Sequence, residues 1–109
     1  MNRANCLKEI VEFGAKRAEA KSTINGFGFD SDVELYQLSK GTFLKVVEMY
    51  LAGSIDSKQL EDWASFIECR EDIDYMHLSD QIYQLANPLL TAEITPGNVE
   101  QIASKVKSS

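Results

Sequence analysis

The segment FLKVVEMYLAGSIDSKQLEDWASFIECREDID, residues 43–74, carries two helices and the turn between them. In its first half Phe43, Val46, Val47, Tyr50 and Leu51 recur at steps of three and four, and Leu44 widens the stripe. That spacing predicts a helix over about 40–52. Gly53 stands where a C-cap glycine belongs, since glycine takes the left-handed backbone there without a Cβ clash. Asp56 and Gln59 then stand as an N-cap and its capping-box partner. Leu60, Trp63, Ala64 and Ile67 follow at helical spacing, and the second helix is expected to end near Arg70.

Outward from this hairpin the same logic finds more helices. Leu7, Ile10, Val11, Ala15 and Ala18 predict one helix over 5–20, with Lys8–Glu12 and Glu12–Lys16 pairs on its other face. INGFGFDSD, residues 24–32, breaks the periodicity and reads as a loop, pinned to the core by Phe27 and Phe29. Ser31 or Asp32 could cap a short helix running through Leu38. Leu78, Ile82, Leu85 and Ala86 predict a helix over 77–86, stopped by Asn87-Pro88 because a residue before proline resists helical geometry. Thr95 as N-cap and Pro96 at the first helical position open the last helix, whose face holds Val99, Ile102, Ala103 and Val106. Gly97 weakens its first turn. No alternating run reads as a strand. The expectation is an all-α fold, one domain over 1–109, as a bundle of five or six helices.

A chain of 109 residues with 44% apolar content can bury a core without disulfides or metal and is too apolar for intrinsic disorder. The net charge of −6 argues against a nucleic-acid binder and against an anionic membrane surface. The acidity is concentrated: residues 1–24 sum to +2, residues 25–100 to −10, and Lys105 and Lys107 bring the total to −6. Cys6 and Cys69 match no metal or redox spacing. The start MNRANCLKEIVEF has no apolar run of signal-peptide length, so a reduced, cytoplasmic protein is expected.

Chemistry-bearing patterns are weak. His77 is the only histidine, and no strand–turn–helix elbow frames a serine nucleophile. GFGF lacks the third glycine of a dinucleotide fingerprint and follows no strand. A calcium loop begun at Asp30 would need glycine and glutamate where Leu35 and Gly41 stand; Asp72 and Asp74 fail likewise, with His77 at the glycine position. Cys6, Cys69 and His77 make no zinc set. No cofactor, metal or enzymatic activity is expected.

The acids of residues 59–74 are the one feature that helix physics leaves partly unexplained. Leu60, Trp63, Ala64 and Ile67 span a narrow arc, so Trp63 belongs to the core and Glu61, Asp62 and Glu68 to the wet side. Glu61 and Asp62 also suit the positive end of the helix dipole. Glu71, Asp72 and Asp74 lie past the other end, where carboxylates oppose it. Two readings of that run stand: a solvated surface, or contact with a basic partner.

Residues 43–72, with Leu51-Ala52-Gly53-Ser54-Ile55-Asp56 leading into Leu60-Glu61-Asp62-Trp63, resemble the helix hairpin of small bacterial immunity proteins. The likeness is to helical immunity proteins of the colicin D type and of contact-dependent inhibition systems. It covers about a third of the chain and extends faintly to LANPLL and ITPGNVEQI. The resemblance implies a cognate inhibitor that binds a basic toxin domain, often a nuclease, with no direct nucleic-acid contact. Glu61, Asp62, Glu68, Glu71, Asp72 and Asp74 would then be the electrostatic contacts, and Tyr75 and Met76 the apolar anchors. A second expectation is an interaction module without catalytic activity, such as a homodimer burying Phe27, Phe29, Tyr36, Met76 and Tyr83. The weakest is a small acid–base enzyme built around His77 and carboxylates.

Overall fold

The indole nitrogen of Trp63 donates to the main-chain oxygen of Val11 at 2.9 Å, which fastens the predicted hairpin to the N-terminal part of the chain. The computed structural model describes residues 2–27 and 34–108. Among them are six helices: α1 (Arg3–Val11), α2 (Arg17–Ile24), α3 (Lys40–Leu51), α4 (Ser57–Glu68), α5 (Ser79–Ala86) and α6 (Pro96–Ser108). A 3-10 turn, Met76–Leu78, leads into α5. The fold is an all-α bundle, as the periodicity predicts. Helix α1 packs on α2, α3 on α6 and α4, and α4 on α5. Phe43 and Trp63 meet at its centre, their ring centroids 6.0 Å apart, in the tilted geometry aromatic pairs favour.

The predicted caps form. Gly53 has φ +84°, its N–H reaches Tyr50 O at 3.0 Å, and the Ser54 N–H reaches Met49 O at 2.8 Å, closing α3 as a Schellman motif. Asp56 accepts from the Gln59 N–H at 2.8 Å, and the Gln59 side chain accepts from the Asp56 N–H at 2.9 Å. Thr95 Oγ1 accepts from the Asn98 N–H at 3.2 Å and starts α6.

The single helix expected over 5–20 is two helices. Phe13 takes φ +53°, and the Gly14 N–H closes back onto Glu9 O at 2.8 Å. A Cβ at position 14 would fall on the Glu9 carboxylate, whose flexible side chain would have to swing aside and give up the bond it accepts from the Lys16 N–H at 3.2 Å. The Arg17 guanidinium lies 4.1 Å from the Phe13 ring centroid and donates from Nε to Ile10 O at 3.1 Å. This reset leaves Ala15 and Ala18 exposed and buries Ala20 and Ile24 instead. Glu12, expected to pair with lysines, accepts from the Tyr36 hydroxyl at 2.7 Å.

The short helix expected through Leu38 is also replaced. Tyr36–Gln37 (β1) is extended and pairs in parallel with Ile73–Asp74 (β2), Tyr36 opposite Ile73. Phe27 is not a core anchor but sits at the surface, under the Arg3 guanidinium at 6.0 Å. Phe29, Asp30, Ser31 and Asp32 lie outside the described residues.

Candidate functional site

The acids singled out in the sequence separate into different environments. Asp72 is wholly buried. Its carboxylate takes Arg70 Nε at 2.9 Å and Nη2 at 2.8 Å, and Arg3 Nε at 2.7 Å. Its main-chain oxygen accepts from the N–H groups of Leu35 at 2.8 Å and Tyr36 at 3.2 Å. Burial pushes the Asp72 carboxyl up, but the bonds from Arg70 and Arg3, with their charges, outweigh it and hold it below the usual range. Asp72 therefore joins the start of α1, the end of α4 and β1. It is not a surface contact, which corrects its assignment to a partner-binding face. The carboxylate that the helix dipole does not call for is an internal counter-ion.

The other acids keep more water. Asp62 pairs with Lys58 one turn earlier at 2.8 Å, both well exposed, a pair of small energetic weight. Lys21 of α2 is held below its ordinary value by burial and by Arg17, with Asp62 pulling the other way. Glu68 accepts from Asn87 Nδ2 at 3.3 Å on both oxygens, and its main-chain oxygen takes the Tyr75 hydroxyl at 3.4 Å. Asp74 accepts from the Met76 N–H at 3.3 Å, at the entry to the 3-10 turn. Glu71 is exposed, Tyr75 is half-buried against the core, and Met76 projects with 74% of its surface free. His77 is exposed on the 3-10 turn. Among the described residues no group of three or more His, Cys, Asp or Glu could hold a metal ion, and no helix is long and apolar enough to cross a membrane.

Glu61, Ser65 and Glu68 recur at i, i+4 and i+7, one stripe of α4 beside the end of α5. There the chain leaves α5 as Asn87-Pro88-Leu89-Leu90, and Leu89 is fully exposed while Leu90 is 73% exposed. An open groove of about 440 Å³ runs between Ser57, Lys58 and Glu61 of α4 and Pro88, Leu89 and Ile94. A second hollow of about 510 Å³ shares Glu61, Pro88 and Leu89 with it. Glu93 lines the first beside Ile94.

The loop that carries Leu89 is held at both ends. Thr91 Oγ1 donates to Gln84 O at 3.0 Å and Asn87 O at 2.9 Å. Ile94 is buried, and its main-chain oxygen takes Ser57 Oγ at 3.2 Å and the Tyr50 hydroxyl at 3.3 Å. Asn98 Nδ2 donates to Glu93 O at 2.8 Å. The exposed leucines thus stand on a fixed platform, which lowers the ordering cost of any contact they make.

No family model, curated protein or solved structure matches this chain. The acids of α4 and of the segment after it do not make one face: Glu61 and Glu68 share a stripe beside the end of α5, whereas Asp62 pairs with Lys58 and Asp72 is internal. The sequence reading missed Leu89, Leu90 and Glu93. The signal available was Leu-Leu directly after Asn-Pro, where the helix has ended and its periodicity no longer offers the leucines a buried stripe.

Proposed function

We propose that this chain is an immunity protein, a small helical inhibitor that binds and neutralises a cognate basic toxin domain of the nuclease type. One observation carries the reading: two exposed leucines on a braced loop stand beside the carboxylates of Glu61 and Glu93. Apolar anchors beside negative charge are what a protein surface needs to hold a basic partner. The anchors supply affinity by leaving water, and the charges speed encounter and select the partner. A nuclease site is positively charged to hold phosphate, and an acidic protein approaches it favourably. The hairpin of α3 and α4, with its glycine turn and capping box, is the part of the chain that resembles helical immunity proteins.

Co-expression with the product of the reading frame beside its gene tests this. A toxic product whose effect on growth is relieved by this chain, in a complex weakened by salt, supports the reading. A toxic product that is not relieved, or a non-toxic one, overturns it. A second reading, a self-associating interaction module, draws on the exposure of Met76 and Tyr83. Sedimentation across a wide concentration range separates the two: a monomer throughout removes the module.

A further inference from the structure

We propose that the groove between the first turns of α4 and the Pro88–Ile94 loop receives a basic amphipathic segment of the partner, with apolar side chains against Pro88 and Leu89 and an arginine or lysine beside Glu61 and Glu93. The proposal rests on the reading of the chain as a binding protein and names the element of the partner that reaches it.

Three features point to that chemistry. The walls are apolar and available: Leu89 is wholly exposed, so its contact surface is satisfied by nothing in the fold. The rim is negative. Glu61 is half-buried as a residue, its carboxylate makes no hydrogen bond with a described residue, and it acts on the Lys58 ammonium through space. Lys58 is turned to Asp62, with which it makes its 2.8 Å bond. A carboxylate at the rim of an apolar groove is a ready acceptor for a guanidinium or ammonium group, whose apolar stem can lie along the leucine. The platform is braced at Thr91 and Ile94, so little order has to be created on binding.

The same features weigh against other occupants. A second copy docked groove to groove would bring two sets of Glu61 and Glu93 together, and it carries the same −6 of net charge. A nucleic acid or an anionic lipid surface would meet the same repulsion.

The test uses the 15N-labelled protein and three synthetic helix-forming peptides of equal length. One alternates leucine and arginine on one face, one has the arginines replaced by glutamate, and one has the leucines replaced by serine. The expected result is amide shift changes centred on Glu61, Leu89 and Glu93 with the leucine–arginine peptide alone. Affinity should fall at least about tenfold in the E61Q/E93Q variant and in Leu89→Ser. Four results would overturn the proposal: absence of binding by the leucine–arginine peptide, shifts centred elsewhere, equal binding of the glutamate peptide, or unchanged affinity in E61Q/E93Q. Concentration-dependent shifts at Leu89 in the protein alone would also overturn it, since a second copy would then fill the groove. Growth rescue reads the function separately. Rescue that survives E61Q/E93Q sinks the groove and leaves the immunity reading, whereas peptide binding without any rescue does the reverse.

Discussion

The Arg70 guanidinium and the Asp72 carboxylate face each other two residues apart, joined by bonds of 2.9 and 2.8 Å, and both side chains are almost wholly out of water. Arg3 completes the group from the other end of the chain. Removing one partner of such a group strands the others in a medium that solvates them poorly. Asp72→Ala is therefore expected to cost about 3–5 kcal/mol, a large share of the stability of a domain this size. Urea unfolding checks it, and a loss under about 1 kcal/mol would contradict the account. Charge reversal at Glu71, which is exposed, should cost less than about 0.5 kcal/mol in the same assay. Any test of the acidic surface that also reverses Asp72 would measure unfolding instead of binding.

The same carboxylate sets an acid limb. Its folded pKa lies below the ordinary value, because the bonds and charges of Arg70 and Arg3 overcome the opposing effect of burial. The stabilisation is present in full above the unfolded value of about 3.9 and is lost as pH falls from there through the depressed folded value. The urea midpoint of the wild-type protein should drop over that window, and the midpoint of Asp72→Asn should drop less. Parallel acid limbs in the two proteins would assign acid unfolding to other groups.

What could be read in advance was local. The Gly53 turn, the Asp56–Gln59 box and the Thr95-Pro96 start are each encoded within four residues by side-chain type, and each forms as expected. Trp63 belongs to the core for the same reason, since its place on the α4 stripe is set by near neighbours. The failures needed distant information. Asp72 meets Arg3 across 69 positions of sequence, which nothing around Asp72 announces. The break after α1 hides because Leu7, Ile10, Val11, Ala15 and Ala18 keep helical spacing across it, and a phenylalanine at φ +53° is an unusual end signal. A two-residue strand such as Tyr36–Gln37 is too short to alternate. Leu89 and Leu90 read as ordinary apolar residues until the fold shows both at the surface.

Two glycines outside crowded surroundings should respond in opposite directions to the same substitution. A Cβ at Gly53 or at Gly97 would meet nothing within 4 Å, so neither change is a packing change. Gly53 holds φ +84°, which alanine resists, and Gly53→Ala should destabilise by about 1 kcal/mol or more. Gly97 lies in the first turn of α6, where alanine lowers the entropy of the unfolded chain, and Gly97→Ala should stabilise by about 0.5–1 kcal/mol. Thermal or urea melts of the two variants give the signs directly. Like signs would mean that one of the two backbone assignments is wrong.

Leu85 and Leu89 stand one turn's length of chain apart and do opposite things. Leu85 is 1% exposed on the inner face of α5, whereas Leu89 is fully exposed beyond its end. Truncating Leu85 to alanine removes apolar surface from the core and leaves a cavity, at a cost of about 2–5 kcal/mol. Leu89→Ser removes apolar surface from water, and its effect on unfolding should stay within about 0.5 kcal/mol. Retention on a hydrophobic-interaction column should fall for Leu89→Ser if that leucine is presented to solvent as its exposure states. A stability loss at Leu89 comparable with that at Leu85 would mean that the loop packs inward in solution, and the groove would then have no apolar wall to offer a partner.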